Sequence, residues 1–378
     1  MMEHRRSLAL AAATLVLVLS SVQAVRAQGI GSWTPTTSYP SQLAGDSCVS
    51  VGGDVYCVGG FDVNQNSYDD VFDAPVSSSG LGQWLAEPNY PTAIDSAACV
   101  NVTTSVTCVG GEDGPTVLND VYSATASSEG LGSWSAGASY PNELAAISCV
   151  GYSGDVYCVG GFDSNGNEVT SSYYAAASSG VASWTATTAY PLAVDSESCV
   201  TISAAIYCVA GETKSGSNQN SPVTNVYYAP LTTLGIGKWV AGPSYPVALA
   251  APSCVAYSSA IYCTGGFDKN QLSSSDTYYW APLSGASQWT SATPYPTAVD
   301  TSSCVLAQGY VYCVGGTSAV SSGQSMLNSA YFAPLSTETA ATTTSTTPEF
   351  PAAAVPAVLA VALLAVGGLG SFRNGRRS

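Results

Sequence analysis

The strongest constraint on the fold is a repeat of about fifty residues that fills most of the 378-residue chain. Trp recurs every 50 or 51 residues, with one gap of 55, and Tyr-Pro follows each Trp six residues later. Repeats of this length indicate supersecondary units that bury their apolar faces against their neighbours. The six Trp residues at this spacing are Trp33, Trp84, Trp134, Trp184, Trp239 and Trp289.

Two cysteines stand at fixed places in every repeat, nine residues apart, and Gly-Gly or Ala-Gly comes just after the second. In the first repeat Gly52-Gly53 lies midway between Cys48 and Cys57, and Gly-Gly suits a two-residue hairpin turn with positive φ. Counting outward from that turn places the two cysteines at a non-hydrogen-bonded pair, where Cα atoms lie ~4.5 Å apart, within disulfide reach. The sequence therefore predicts six hairpin disulfides. The pairs are Cys48–Cys57, Cys99–Cys108, Cys149–Cys158, Cys199–Cys208, Cys254–Cys263 and Cys304–Cys313.

Each repeat is predicted to hold four strands. Strand a carries the first Cys, strand b the second Cys and Gly-Gly, strand c a Tyr-rich segment, and strand d the Trp. Four-stranded units repeated around an axis are propeller blades. The unit resembles the kelch repeat, in which an apolar strand ends in Gly-Gly and is followed by a Tyr and a Trp, over residues 30–335. The resemblance implies an all-β, six-bladed kelch-type propeller, although the Arg common before kelch strand a is absent.

Ring closure follows from the order of the motifs. Trp33 precedes the first hairpin, and no Trp follows Tyr331. We therefore expect the N-terminal strand around Trp33 to complete the last blade, which would remove free sheet edges.

Charge excludes several functions. Residues 28–350 hold 24 of the 25 acidic residues, three Lys and no Arg or His, a net charge of about −21. Such a surface repels nucleic acid. Zinc or copper sites that need His, and catalysis by a His base, lack their essential residue. Because residues 28–350 contain no Arg, they also lack the guanidinium groups that commonly bind anionic substrates.

Odd and even repeats differ at two places, which indicates a two-blade module present three times. Four residues before the first Cys, even repeats carry Asp and odd repeats carry Ala; after Gly-Gly, odd repeats carry Phe-Asp and even repeats Glu or Thr. Strand alternation should place the d–a and b–c loops on one face, which would be acidic. The candidate binding residues of that face are Asp95, Asp195 and Asp300 from the d–a loops, and Asp62, Asp163, Asp268, Glu112 and Glu212 from the b–c loops.

The preferred hypothesis for this face is recognition of a neutral glycan or a protein partner, with no catalysis and no required cofactor. A second hypothesis is calcium binding, because two b–c loops contain the pattern Asp-x-Asn-x-Asn. The third copy has Leu272 at its last position and gains Lys269, and such patterns also favour turns without any ion. The candidate calcium ligands are Asp62, Asn64 and Asn66, and Asp163, Asn165 and Asn167.

Two further hypotheses stay open. An extracellular carbohydrate-active enzyme would use two carboxylates of the acidic face, but the repetition of these residues singles out no catalytic pair. Alternatively, the acidic residues only cap loops and accept hydrogen bonds from backbone N–H groups. The protein would then be a structural component of the cell envelope.

The two ends of the chain predict a location at the cell surface. Residues 1–27 have the basic start, short apolar run and small-x-small sites of a secretory signal peptide, with an uncleaved anchor as the alternative. The propeller would cover residues 28–336, and Asn101 lies in a glycosylation sequon at a predicted hairpin turn.

Residues 337–351 form a Thr-rich linker that contains Pro348-Glu349-Phe350, residues 352–372 are apolar enough to span a bilayer, and residues 373–378 form a basic cytosolic tail. These features together resemble PEF-type surface-sorting signals, which implies a membrane sorting enzyme as a partner. A plain transmembrane anchor is the alternative.

Overall fold

The computed structural model describes residues 26–215 and 219–338, which form an all-β propeller of six blades. In each blade consecutive strands pair antiparallel in the order a, b, c, d. Strand a covers Ser47–Val51, Ala98–Val102, Ser148–Tyr152, Ser198–Ile202, Ser253–Tyr257 and Ser303–Ala307 in blades 1 to 6. Strand b covers Asp54–Val58, Ser105–Val109, Asp155–Val159, Ala205–Val209, Ala260–Thr264 and Tyr310–Val314.

The outer half of each blade is built from strands c and d. Strand c covers Val71–Ser77, Val121–Ser127, Ser172–Ala176, Val226–Thr232, Thr277–Trp280 and Ala330–Glu338. Strand d is short and covers Leu85–Ala86, Ser135–Ala136, Thr185–Ala186, Val240–Ala241 and Thr290–Ser291 in blades 1 to 5.

The N-terminal segment supplies strand d of blade 6. Thr34–Thr36 pairs antiparallel with Ala330–Glu338, with Thr34 opposite Phe332. The end of the same long strand also pairs with Arg26–Ile30. The prediction that the strand around Trp33 completes the last blade is confirmed, and the ring is closed by non-covalent pairing of the two ends of the propeller.

The six predicted disulfides are all present. Each cysteine of strand a lies directly opposite its partner on strand b, as in Cys48 opposite Cys57, and their Cα atoms are 3.9–4.1 Å apart in the six pairs. The described residues contain no free cysteine. Six disulfides indicate folding in an oxidising compartment.

The repeated aromatic residues form the contacts between blades. The Tyr of each Tyr-Pro is 1–3% exposed and packs edge-on against the Trp of the following strand d, as Tyr90 does with Trp134 at a centroid distance of 4.9 Å. The indole N–H donates to a main-chain carbonyl of the preceding blade, for example Trp84 Nε1 to Thr37 O at 3.1 Å. Trp33 makes the same bond to Thr293 O at 3.2 Å, so the pattern continues across the ring closure.

The Gly-Gly pair after strand b links each blade to the next. Gly60 donates its N–H to the carbonyl of Ile94 in blade 2 at 2.8 Å, and at the ring closure Gly316 donates to Leu43 at 2.9 Å. Gly59 has φ of +65°, and a β-carbon there would overlap the Ile94 carbonyl oxygen. The motif is therefore required both by the left-handed backbone and by the close approach of the next blade.

The two-blade period is visible in the b–c loops. Even blades carry a small hairpin there: Glu112–Asp113 with Thr116–Val117, Glu212–Ser215 with Gln219–Pro222, and Thr317–Val320 with Gly323–Met326. Odd blades carry turns without such a hairpin. The remaining elements are the two-residue strands Gly80–Leu81, Gly130–Leu131 and Gly235–Ile236 after strand c, and one 3₁₀ turn at Pro282–Ser284.

The predicted signal peptide, membrane-spanning segment and basic tail lie outside the described residues, apart from Arg26 and Ala27, which belong to the first strand. Of the predicted linker, only Thr337 and Glu338 are described, as the end of strand c of blade 6. Within residues 26–215 and 219–338 there is no helix long and apolar enough to cross a membrane.

Candidate functional site

The d–a and b–c loops meet on one face of the propeller, here called the loop face. Directly beyond strands a and b, Asp95 pairs with Glu112 and Asp195 with Glu212 through isolated antiparallel bridges. The a–b turns on the opposite face, here called the hairpin face, are all two residues long, whereas the b–c segments range from 110–120 in blade 2 to 210–225 in blade 4. The d–a and b–c segments together contain 18 of the 25 acidic residues.

In odd blades the Asp after Phe organises the b–c loop. Asp62 Oδ1 accepts the backbone N–H groups of Asn64 at 2.8 Å and Asn66 at 3.0 Å, and Oδ2 accepts the Tyr68 hydroxyl at 3.1 Å. These donors, the Asn66 N–H first, lower the pKa of Asp62 to about 2. The carboxylate is therefore ionised and holds the loop as an Asx turn.

The same turn occurs in the other odd blades. Asp163 accepts the N–H groups of Asn165 and Asn167, both at 2.9 Å. Asp268 accepts those of Asn270 at 2.8 Å and Leu272 at 3.0 Å.

Because Leu272 has no ligand atom in its side chain, the turn needs only backbone N–H groups at its last position. The geometry therefore explains the Asp-x-Asn-x-Asn pattern as a turn motif. Calcium binding at Asp62 and Asp163 stays a prediction.

In even blades the predicted d–a carboxylates lie beneath the surface. Asp95, Asp195 and Asp300 are 5%, 4% and 6% exposed. Burial raises the pKa of all three, and that of Asp195 to about 7, partly offset by the hydroxyl groups that donate to them. Side chains with so little exposed area are better placed to fix the loops than to contact a macromolecule.

Serines of the preceding odd blade reach two of these carboxylates. Ser67 Oγ donates to Asp95 Oδ2 at 2.7 Å, and Ser273 Oγ donates to Asp300 Oδ2. At the corresponding position blade 3 carries Glu168, whose charge raises the pKa of Asp195, while Lys214 lowers it. The junction of blades 3 and 4 therefore has a carboxylate where its two counterparts have a serine hydroxyl.

Glu112 and Glu212 lie beside the buried aspartates. Burial, and to a lesser extent the charge of Asp95, raises the pKa of the half-buried Glu112 to about 7. Glu212 is 6% exposed, and its charge contributes to the raised pKa of Asp195. The structure thus brings Asp95 to Glu112 and Asp195 to Glu212.

The centre of the loop face is a ring of six residues, one per blade, three positions before the first Cys. All six have positive φ, from 48° to 66°, and only one is glycine. Their main chains join in sequence around the axis, for example Ser96 N to Gly45 O at 2.9 Å and Ala146 N to Ser96 O at 2.9 Å. This axial ring consists of Gly45, Ser96, Ala146, Ser196, Ala251 and Thr301.

The sequence reasoning missed two acidic residues next to the axial ring. Asp46 in blade 1 and Glu197 in blade 4 are 6% and 5% exposed and line the same axial cavity. They stand two positions before the first Cys, where the other blades have uncharged residues. Comparison of the repeats at that position alone would have identified them, because they break the pattern instead of following it.

Asp46 lies near both sulfurs of the Cys48–Cys57 pair. Because those sulfurs are joined in a disulfide, they are not thiolate ligands. This set of three residues is therefore no soft-metal site.

The hairpin face has a different character. The mouth of the axial channel has a volume of about 300 Å³ and is lined by strand a residues, with no ionisable group among the residues that form it. Asn101 of the predicted sequon is exposed at this rim, and its Nδ2 donates to Ser50 O at 3.0 Å.

No protein-family model matches the chain. No curated protein matches it either.

Proposed function

We propose that this protein is a kelch-type propeller that acts as a recognition or adhesion module, and that it binds a glycan or a protein partner on its loop face. The observation that carries the proposal is the contrast between the two faces. Every a–b turn has the same length, while the b–c segments differ by up to five residues between blades 2 and 4. In repeat folds, variation between units concentrates on the binding face.

The exposed groups of the loop face suit a ligand rich in hydroxyl groups. Asn64, Asn66 and Asp113 offer exposed hydrogen-bond donors and acceptors on b–c loops, and the only cationic residues in the b–c segments are Lys214 and Lys269. Hydroxyl and amide donors of a neutral ligand can bond to carboxylates without a counter-charge. The buried Asp95, Asp195 and Asp300 would act by holding the loops in place.

We further propose that the propeller is exported and displayed on the outer surface of the cell. The six disulfides support export. Export would use the predicted signal peptide at 1–27. Display would use the linker at 337–351, the membrane segment at 352–372 and the basic tail at 373–378, and a sorting enzyme would act near Pro348-Glu349-Phe350.

The test is binding of the oxidised, exported protein to a broad glycan array and to envelope extracts, compared between two double variants. Glu112→Gln with Asp113→Asn changes the loop face. Asp54→Asn with Asp155→Asn makes the same chemical change beside the a–b turns.

Saturable binding that the first variant loses and the second keeps would support the proposal. Equal effects of the two variants would contradict it. Release of cleaved product would favour the carbohydrate-active enzyme, and absence of any ligand would favour a structural envelope component.

A further inference from the structure

The last blade differs from the others at the place where strand c should turn into strand d. In blade 1 strand c ends in a tight turn, and Val76 lies opposite Leu81 just before that turn. In blade 6 the equivalent pair is Leu335 opposite Ile30, and all four of these side chains are buried. Because Leu335 and Ile30 come from opposite ends of the propeller, no turn joins them.

Glycines mark this turn in the other blades. A glycine stands four residues before each repeat Trp, and in blades 1 to 5 its φ lies between +78° and +114°. Gly29 is the corresponding residue of blade 6, and its φ lies outside the left-handed region. The chain therefore runs past Gly29 without the reversal that the other blades make. The five turn glycines are Gly80, Gly130, Gly180, Gly235 and Gly285.

A short antiparallel ladder takes the place of the turn. Beyond Ile30 and Leu335 the two strands continue side by side, with Gln28 opposite Ser336, Ala27 opposite Thr337 and Arg26 opposite Glu338. The pairs at Ala27 and Arg26 have no equivalent in blade 1, where residues 78 and 79 form the turn itself. Main-chain pairing thus joins the two segments here, as a covalent turn does elsewhere.

The two candidate cleavage sites of the predicted signal peptide lie at and before this ladder. They are Val22-Gln23-Ala24 and Val25-Arg26-Ala27, and both have small residues at the two positions that define such a site. A cut after the second would remove the first two of the four paired residues and leave only Gln28 and Ile30. A cut after the first leaves the strand whole.

We propose that the signal peptide is removed after Ala24, so that the mature chain begins at Val25 and keeps all of Arg26–Ile30 as a clasp on strand c of blade 6. This moves the end of the signal peptide from residue 27 to residue 24. The clasp holds the start of the mature chain beside Thr337 and Glu338, where the Thr-rich linker begins. The inference rests on the proposed export of the propeller.

The first test identifies the N-terminus of the mature protein, taken from the cells that make it. Chymotrypsin cuts after aromatic residues such as Trp33, so mass spectrometry of the digest should show an N-terminal peptide of residues 25–33. A peptide of residues 28–33 would overturn the proposal and leave export intact. An uncleaved N-terminus on exported protein would also overturn it, and protein kept inside the cell would contradict the export on which it rests.

A matched pair of variants tests the choice of site. Ala24→Leu and Ala27→Leu each put a bulky residue at the last position of one candidate site. We expect Ala27→Leu to keep the start at Val25 and Ala24→Leu to lose it. A start at Val25 in Ala24→Leu, or its loss in Ala27→Leu, would overturn the proposal.

A deletion tests what the retained residues do. Removal of residues 25–27 joins Ala24 to Gln28 and gives the short mature chain directly. In the exported, oxidised protein, amide hydrogen exchange at Thr337 and Glu338 should become at least about tenfold faster, while exchange across Val71–Ser77 of blade 1 stays the same. Unchanged exchange at Thr337 and Glu338 would show that the clasp does not form.

Discussion

Single residues decide how closely adjacent blades approach each other. The first residue after strand b has positive φ in every blade, and it is glycine in all blades except blade 4, where Ala210 has φ of +59°. Gly59 has no room for a side chain because the Ile94 carbonyl of the next blade occupies that space. The inter-blade bond after Ala210, from Gly211 to Leu249, is 3.1 Å long, against 2.8 Å for Gly60 to Ile94.

We predict that Gly59→Ala destabilises the propeller by about 2 kcal/mol or more, because it adds a steric overlap to an unfavourable backbone conformation. Ala210→Gly should change the free energy of unfolding by less than about 1 kcal/mol, since relief of strain is offset by a more flexible unfolded chain. Urea unfolding of both variants checks this. Equal costs at the two sites would contradict the role given to the Ile94 carbonyl.

A second residue-scale prediction concerns pH. Asp73 on strand c of blade 1 is buried and within hydrogen-bonding reach of Glu87, and burial followed by the charge of Glu87 raises its pKa to about 6. The folded protein therefore holds this proton more tightly than the unfolded chain, whose Asp titrates near 4. The contribution of protonated Asp73 to the free energy of unfolding is complete below pH 4 and is lost as the pH rises through about 6.

Asp73→Asn should accordingly flatten the decline in Tm between pH 4 and pH 6. Glu129→Gln, at an exposed carboxylate in blade 2, should leave the decline as it is in the wild type. An unchanged slope in Asp73→Asn would assign the decline to other carboxyls.

At the scale of elements, the inner strands are joined by serine side chains. The serine before the first Cys of one blade accepts the N–H of the Cys in the next blade, as Ser47 Oγ does from Cys99 at 2.9 Å and Ser303 Oγ from Cys48 at 2.8 Å. Blade 2 carries Ala98 at this position and has no hydroxyl to offer Cys149.

Completing this ring should stabilise the fold. We expect Ala98→Ser to add about 1 kcal/mol to the free energy of unfolding, and Ser198→Ala, which removes the acceptor of Cys254, to cost a similar amount. Chemical denaturation with intact disulfides measures both. A loss of stability in Ala98→Ser would show that the junction of blades 2 and 3 is too close for the hydroxyl.

The elements also show what could be predicted from sequence. The hairpins were predictable because a two-residue turn and the spacing of Cys48 and Cys57 fix the strand register locally. The loop face was predictable because strand alternation fixes where loops emerge.

The surroundings of Asp95 were not predictable, since its carboxylate is buried and accepts a hydrogen bond from Ser67 of another blade. Asp46 and Glu197 break the repeat at their position, so reasoning from recurring residues did not find them. Sequence therefore determined the strand register and the face of each loop, and packing between blades determined which carboxylates are accessible.

The whole molecule is a ring whose closure rests on the N-terminal strand. Every other strand d is tied to its own blade by a short c–d connection, whereas Thr34–Thr36 reaches blade 6 from the other end of the propeller. Its aromatic contact nevertheless matches one elsewhere in the ring. The ring centroids of Trp33 and Tyr295 are 4.8 Å apart, and those of Trp184 and Tyr140 are also 4.8 Å apart. The two Trp sites therefore differ mainly in how the chain tethers the strand.

Trp33→Ala and Trp184→Ala are thus a matched pair for the last prediction. Each loses one half-buried indole and one hydrogen bond, to Thr293 O at 3.2 Å or to Ala138 O at 3.0 Å. In Trp184→Ala the shortened strand stays near its partner because a short connection keeps the cost of closing the loop low. In Trp33→Ala no short c–d connection tethers Thr34–Thr36 to blade 6, so its pairing with strand c of blade 6 should open locally without global unfolding.

Hydrogen exchange should therefore show faster exchange across Ala330–Glu338 in Trp33→Ala, and little change across Ser172–Ala176 in Trp184→Ala. Equal protection of the two segments would mean that the other blade-6 contacts, such as Arg26–Ile30 beside the same strand, hold the ring closed. Acceleration in all six blades at once would mean that the ring has no local opening and unfolds only as a unit. The exchange pattern thus distinguishes a closure made by one strand from a closure shared around the ring.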